Sequence, residues 1–223
     1  MKKKVRNNKV ILAFILALGC LTAASVGFSS WVIAAQNIST KSNVNVTVDG
    51  VEDLRYKFGV TASSNSKIKL APSTPGKYIS YSGSASEEKL DFTFSLTFTA
   101  RGSSAEFDFT SLGDQSFNIN FSFTNTLDIN KDGNEYIKFP SGTIGTISNS
   151  GFTPSSSGAT TDPKSSNVIT YSGNLAWGSY FGGKNPSELD DSDKVDSYIE
   201  VLNHLKTSLD KQNLEIAVKI EKK

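Results

Sequence analysis

Leu90-Asp-Phe-Thr-Phe-Ser-Leu-Thr-Phe98 decides the fold. Leu90, Phe92, Phe94, Leu96 and Phe98 fall on one side of an extended chain, and Asp91, Thr93, Ser95 and Thr97 on the other. That is the period-2 pattern of a strand with one buried and one wet face. Such a face needs another to cover it. Phe117, Ile119, Phe121 and Phe123, alternating with Asn118, Asn120 and Ser122, supply one, and Phe107 and Phe109 continue the theme between the two. Parallel sheets, covered on both faces, would read as unbroken apolar runs. The alternation therefore predicts a mainly β, antiparallel β-sandwich or jelly-roll-like domain with these phenylalanines as its core.

Upstream, Val44, Val46 and Val48 alternate with polar neighbours. Asp49-Gly50 accepts the positive φ angles of a type I′ turn, so a second strand carrying Leu54, Tyr56, Phe58 and Val60 is expected to fold back on the first. Residues 67–70 and 77–81 read as short strands separated by Ala71-Pro-Ser-Thr-Pro-Gly76. Downstream, 136–139 and 143–147 read as strands, 148–166 as a long polar loop, and 168–171 and 175–177 as strands again. Val195, Tyr198, Ile199, Leu202, Leu205 and Leu209, spaced by three and four, predict one amphipathic helix over 192–212, with Ser192 as its N-cap. Leu214, Ile216, Val218 and Ile220 then alternate as a last strand.

The compartment is written at the other end of the chain. Lys2, Lys3, Lys4, Arg6 and Lys9 precede residues 10–35, an uncharged and mostly apolar run ending in Ala34-Ala35. A cationic start, an apolar middle and small residues near a cut are the ingredients of a secretory leader. As a helix the run would reach about 39 Å, enough to span a bilayer. Three fates are open to it: cleavage near Ala34 or Ala35, lipidation at Cys20, or retention as an N-terminal membrane anchor. Residues 36–223 are expected to form a single extracellular β-sandwich domain, touching the membrane only through 10–35 if that run stays uncleaved. Of the 23 basic and 22 acidic side chains, five basic ones lie in the leader, so the remainder carries a net charge of −4. That gives no footprint for nucleic acid. Cys20 is the sole cysteine, so no intramolecular disulfide can form.

Material for catalysis is sparse. The one histidine, His204, falls on the predicted polar face of the helix, and no Cys/His pair or His-Glu-x-x-His zinc pattern exists. No catalytic activity and no required cofactor are expected. Two stretches carry binding readings. Asp128, Asn130, Asp132 and Asn134 place oxygens at alternate positions as the first half of a calcium loop does, although Phe139 stands where a bidentate Glu belongs; the competing reading is a turn over Lys131-Asp-Gly-Asn134. Trp177, Tyr180 and Phe181, set among Gly178, Gly182 and Gly183, could stack on sugar rings if exposed, or cover an edge of the core if not. Asn185-Pro186 is expected to open a helical turn, with the Asn as cap.

The leader ending Gly27-Phe-Ser-Ser-Trp-Val-Ile-Ala-Ala35, followed by a β-rich domain almost without cysteine, resembles exported Firmicutes surface proteins that have a specialised signal peptide. These are similar to the TasA and camelysin group of biofilm-matrix proteins. Trp177-Gly-Ser-Tyr-Phe-Gly-Gly-Lys-Asn-Pro186 also looks like a segment recurring in surface proteins of this sort. The resemblance implies a structural or adhesion protein, secreted or held at the surface of a Gram-positive-type bacterium. Its partners would be further copies of itself or other surface proteins, joined by strand addition through Val44, Val46 and Val48. The alternative is a membrane-anchored module that binds glycans or another ligand.

Overall fold

The alternating stretch becomes an inner strand of a four-stranded sheet in the computed structural model, which describes residues 40–49, 58–72, 76–79, 88–124, 126, 128–162 and 165–223. The strands are β1 (Thr40–Asp49), β2 (Phe58–Ser63), β3 (Lys67–Leu70), β4 (Asp91–Ala100), β5 (Phe117–Phe123), β6 (Ile137–Lys138), β7 (Gly142–Ser148), β8 (Gly151–Pro154), β9 (Ala159–Asp162), β10 (Ser165–Asn174), β11 (Ala176–Trp177) and β12 (Leu214–Lys222). Among the described residues one α-helix, α1 (Val195–Lys211), precedes the last strand. The leader-like run 10–35 lies outside the described residues, among which no helix is long and apolar enough to cross a membrane.

One sheet has the order β2-β4-β10-β9 and the other β3-β1-β12-β5-β7-β8; β6 and β11 form a separate pair. Phe92, Phe94, Leu96 and Phe98 of β4 are buried, as are Phe117, Ile119, Phe121 and Phe123 of β5. Their rings meet between the sheets, Phe92 to Phe123 at 5.3 Å and Phe94 to Phe121 at 6.0 Å between centroids. Phe58 of β2 reaches Phe117 of β5 at 5.6 Å, and Tyr171 of β10 reaches Phe121 at 4.6 Å. The outward residues of the four-stranded sheet pair by hydroxyl, Thr93 with Ser172 and Ser95 with Thr170, both at 2.9 Å.

Four expectations are corrected. The β1–β2 hairpin does not form over the described residues. Residues 44–49 instead pair in parallel with β12, from Val44 opposite Leu214 to Asp49 opposite Lys219, while β2 pairs with β4 in the opposite sheet. This parallel pair departs from the antiparallel rule, and the hydrophobic period cannot foresee it because it fixes which face is buried and not which neighbour is chosen. The second strand's Leu54 and Tyr56 lie outside the described residues. Lys77 to Ile79 bend rather than form a strand.

The long loop over 148–166 is largely sheet: β7 turns at Asn149 and Ser150 into β8, and β9 and the start of β10 follow. These are polar edge strands held by backbone pairing, so they carry little apolar signal. Phe107 and Phe109 do not extend a strand. They are buried where a 3-10 turn, Phe109–Leu112, is capped by Asp108, whose Oδ1 accepts the Thr110 N–H at 3.0 Å.

A hydroxyl splice marks the point where the chain leaves one sheet for the other. β2 stops pairing at Ser63, and the backbone of Thr93 in β4 is then completed by side chains. Its N–H donates to Ser66 Oγ at 2.7 Å, and its carbonyl accepts from Ser64 Oγ at 2.7 Å and Ser66 Oγ at 3.0 Å. Two serines do the work of a missing strand, so β4 keeps its buried hydrogen bonds satisfied past the corner.

Candidate functional site

Val44, Val46 and Val48, the proposed assembly strand, lie in β1, which occupies a slot inside the six-stranded sheet. Its hydrogen bonding is divided. Residues 40–43 pair antiparallel with β3, and residues 44–49 pair parallel with β12. Val44 is buried at 3% exposure, whereas Val46 and Val48 are half-buried. Val44 N–H also reaches the Ser66 carbonyl at 3.1 Å; beyond it, no described strand pairs with β1 on that flank. A shallow cleft of about 240 Å³ opens there, between Val44-Asn45 and residues 64–67. The helix α1 packs alongside β1, so the strand is bordered by a sheet neighbour, a helix and an open flank.

Against Tyr198 of α1 the segment 175–186 builds an aromatic seam. Trp177 is 5% and Phe181 0% exposed, and Tyr180 is half-buried. Phe181 meets Trp177 at 5.4 Å, Tyr180 at 5.2 Å and Tyr198 of α1 at 5.5 Å, while Tyr180 stands edge-on to Tyr136 at 5.0 Å. Trp177 and Phe181 therefore turn their rings to protein, and no open face is left on them for a sugar to stack against. Gly178 permits this closure. A Cβ there would lie 2.1 Å from the Glu135 carbonyl oxygen, and its own N–H donates to the Tyr136 carbonyl at 2.8 Å.

Beside the seam lies a polar latch that sequence reasoning missed. Glu88 Oε1 accepts the Trp177 indole N–H at 3.0 Å and an Asn185 N–H at 2.8 Å. Asn185 Nδ2 also donates to the Ala71 carbonyl at 3.2 Å, and its Oδ1 accepts the Ser187 N–H at 3.0 Å and hydroxyl at 2.8 Å. Asn185 caps a 3-10 turn with Pro186 at its first position, as the Asn-Pro pair predicted. The only sequence signal for the latch was that cap. Glu88 itself, within the charged run Glu87-Glu88-Lys89, carried none.

Burial pushes the Glu88 carboxyl above its ordinary range and the nearby Glu188 charge pushes the same way, against the two hydrogen bonds, which favour the anion. A folded-state pKa above the unfolded one means that the fold holds the proton more tightly. The stabilisation is complete below the ordinary value of 4.5 and is lost as pH rises through the raised one. Glu88→Gln keeps an acceptor for both donors and has no charge to desolvate. Its melting temperature is expected to gain on that of the parent as pH rises from 4 to 7, and superimposable pH profiles would show that Glu88 is not desolvated.

The calcium-like stretch is closed as a turn. Asn130 Oδ1 accepts the Tyr136 and Ile137 N–H groups, both at 2.9 Å, and its Nδ2 donates to the Ile137 carbonyl at 2.7 Å. Asp132 at φ 57° and Gly133 at φ 75° form the bend, and Asn134 N–H returns to the Lys131 carbonyl at 3.0 Å. The oxygen that a cation would need from Asn130 is spent on backbone. Asp128, Asp132 and Asn134 are exposed around it. Among the described residues no group of three or more His, Cys, Asp or Glu side chains is placed to hold a metal ion.

His204 corrects another expectation. It is half-buried, with Nε2 3.3 Å from the Ile129 carbonyl and its ring edge-on to Tyr136 at 6.0 Å. Residues 128–136 fold over that side of α1, where Ser208 Oγ also donates to the Asp128 carbonyl at 3.2 Å. Periodicity marks the face as polar but cannot see the loop that covers it. No family model, no curated protein and no solved structure matches the chain.

Proposed function

We propose that the chain is a noncatalytic structural or adhesion protein of the cell exterior that assembles by strand exchange, β1 of one copy entering the slot between β3 and β12 of the next. The observation that carries the reading is the position of β1. It is the first described strand of the chain, yet it sits between two other strands rather than at an edge. Residues 50–57 join it to β2 in the opposite sheet, and eight residues can span at most about 29 Å. Exchange keeps every hydrogen bond and side-chain contact of the slot while making them between copies, so its cost lies in the linker and in association rather than in lost packing. Retention of residues 10–35 would tether such an assembly to the membrane, and cleavage would release it as fibres.

The leader-like run and the small mature net charge support an exported protein, and the resemblance to matrix-forming surface proteins points the same way. Light scattering on the chain beginning at Gln36 is the test: the average mass is expected to rise with concentration and with time. A monomer at every concentration up to the millimolar range would refute assembly by this chain alone.

A further inference from the structure

The outer face of the four-stranded sheet has an uncharged centre. One row crosses all four strands: Ser63 of β2, Ser95 of β4, Thr170 of β10 and Thr160 of β9, each opposite the next in register. Thr61, Thr97 and Val168 form the row on one side of it, with Gly59 and Thr99 beyond, and Thr93 with Ser172 forms the row on the other. All of these are exposed or half-buried. Charge enters at the two ends of β4, where Asp91 is the next outward residue past Thr93 and Glu106 lies opposite Thr99. A wet sheet face is normally broken up by charged side chains, about a quarter to a third of a soluble surface. The outer face of the six-stranded sheet obeys this, with Glu215, Lys219 and Glu221 exposed on β12 alone.

The central hydroxyls are already paired within the face. Thr93 with Ser172, and Ser95 with Thr170, stand at 2.9 Å. In each pair one hydroxyl accepts from the other, so covering the face costs less than burying unpaired hydroxyls would. The threonine methyls and Val168 add apolar surface, and side chains this short let a second sheet approach to about 10 Å. From Thr93 to Thr99 the face runs about 20 Å along β4 and about 14 Å across the strands, on the order of 300–500 Å² with its margins. A standard interface takes about 800 Å² from each partner, so one such face cannot hold a dimer by itself. A row of them, aligned in a linear assembly, can act together, because each contact after the first forms within an existing complex.

We infer that this hydroxyl face is a second contact between copies of the chain, stacking sheet on sheet so that filaments pack side by side. An uncharged, internally paired, short-chained face fits its own copy about a two-fold axis, and it offers a charged partner nothing to pair with. Lateral packing of this kind presupposes the linear assembly through β1 and gives that assembly its thickness. The β1 slot lies in the six-stranded sheet, so exchange leaves the hydroxyl face open.

Every described element lies within residues 40–223, so the chain beginning at Gln36 keeps the whole sandwich. Its assemblies are read by electron microscopy for filament width and by low-speed sedimentation for bundles. The parent is expected to give filaments gathered side by side. Thr61→Lys combined with Ser172→Lys, both at exposed positions, should give filaments that lie singly, with the melting temperature unchanged. Thr61→Glu combined with Ser172→Glu should do the same. Mixing preformed Lys and Glu filaments should restore bundles, and salt should weaken them. Single filaments from the parent, bundles indifferent to both double substitutions, or a mixture that stays single would each overturn the face while leaving β1 exchange standing. No filaments from the parent would overturn both.

Discussion

Phe181→Ala is expected to lower the stability of the folded chain by about 3–5 kcal/mol. The ring is fully buried, and three aromatic partners stand within 5.5 Å of its centroid. Edge-on and tilted pairs of this kind each contribute about 0.5–1.5 kcal/mol beyond the area they bury. The space left by truncation has little means of closing. Gly178 N–H and Tyr180 N–H are fastened to the carbonyls of Tyr136 and Glu135 at 2.8 and 3.0 Å, which holds the backbone of 178–180 in place on one side while α1 stands on the other. A cavity that cannot collapse puts the loss toward the upper part of the range. Urea unfolding monitored by tryptophan fluorescence measures it, with the half-buried Ile199→Ala on α1 as a milder comparison. A loss below about 1 kcal/mol would mean that the seam is loosely packed and open to a ligand after all.

Removal of residues 40–49 is expected to abolish cooperative folding, and a peptide of that sequence added separately is expected to restore it. Without β1, β12 loses the six register pairs of its parallel neighbour, and β3 loses the pairs of residues 67–70 with residues 40–43. Each lost backbone hydrogen bond is worth about 0.5–1.5 kcal/mol net, and the lost burial of the Val44 side chain adds about 1.5–3 kcal/mol. Their sum is comparable to the whole stability of an ordinary domain, about 5–15 kcal/mol. The peptide arm asks the further question of whether the slot accepts a strand that is not covalently attached, which is what exchange between copies requires. A thermal melt of the shortened chain that regains its sharpness with saturating peptide supports the slot. A shortened chain that melts as the parent does, or one that gains nothing from the peptide, argues against it.

The sandwich was legible wherever one face is buried and the other wet. Phe92 to Phe98, Phe117 to Phe123 and Leu214 to Ile220 announce their strands because burial imposes a period of two on them. Edge strands escape that constraint, and so β8 and β9, written Gly-Phe-Thr-Pro and Ala-Thr-Thr-Asp, read as loop. Pairing partners escape it as well. Val44, Val46 and Val48 show a strand with an inner face, but the choice of β12 over a hairpin mate depends on residues more than a hundred positions away.

Of the candidate sites, the turn at Lys131-Asp-Gly-Asn134 was visible in its Asp-Gly pair, whereas the Asn130 hydrogen bonds that close the stretch onto Tyr136 and Ile137 were not. Trp177 and Phe181 were marked as a cluster, but whether glycine-rich aromatic segments face solvent depends on Tyr198 and Tyr136, which approach from other elements. Glu88 illustrates the limit most sharply: its role is set by Trp177 and Asn185, 89 and 97 positions further along the chain.

Strand exchange makes one claim that no alternative shares, namely that a β1 residue and its register partner on β12 belong to different molecules in the assembled state. Thr47 and Ala217 are such partners on the outer face of the sheet, at a spacing of adjacent strands, about 4.8 Å, that a disulfide can bridge. The chain beginning at Gln36 contains no cysteine of its own, so Thr47→Cys combined with Ala217→Cys gives a single possible link within one molecule. Oxidised as dilute monomer, the variant should yield one cross-linked chain; oxidised after assembly, it should yield a ladder of covalent multimers on a non-reducing gel that collapses on reduction. Assembled material that gives only internally linked monomers would contradict the exchange of β1.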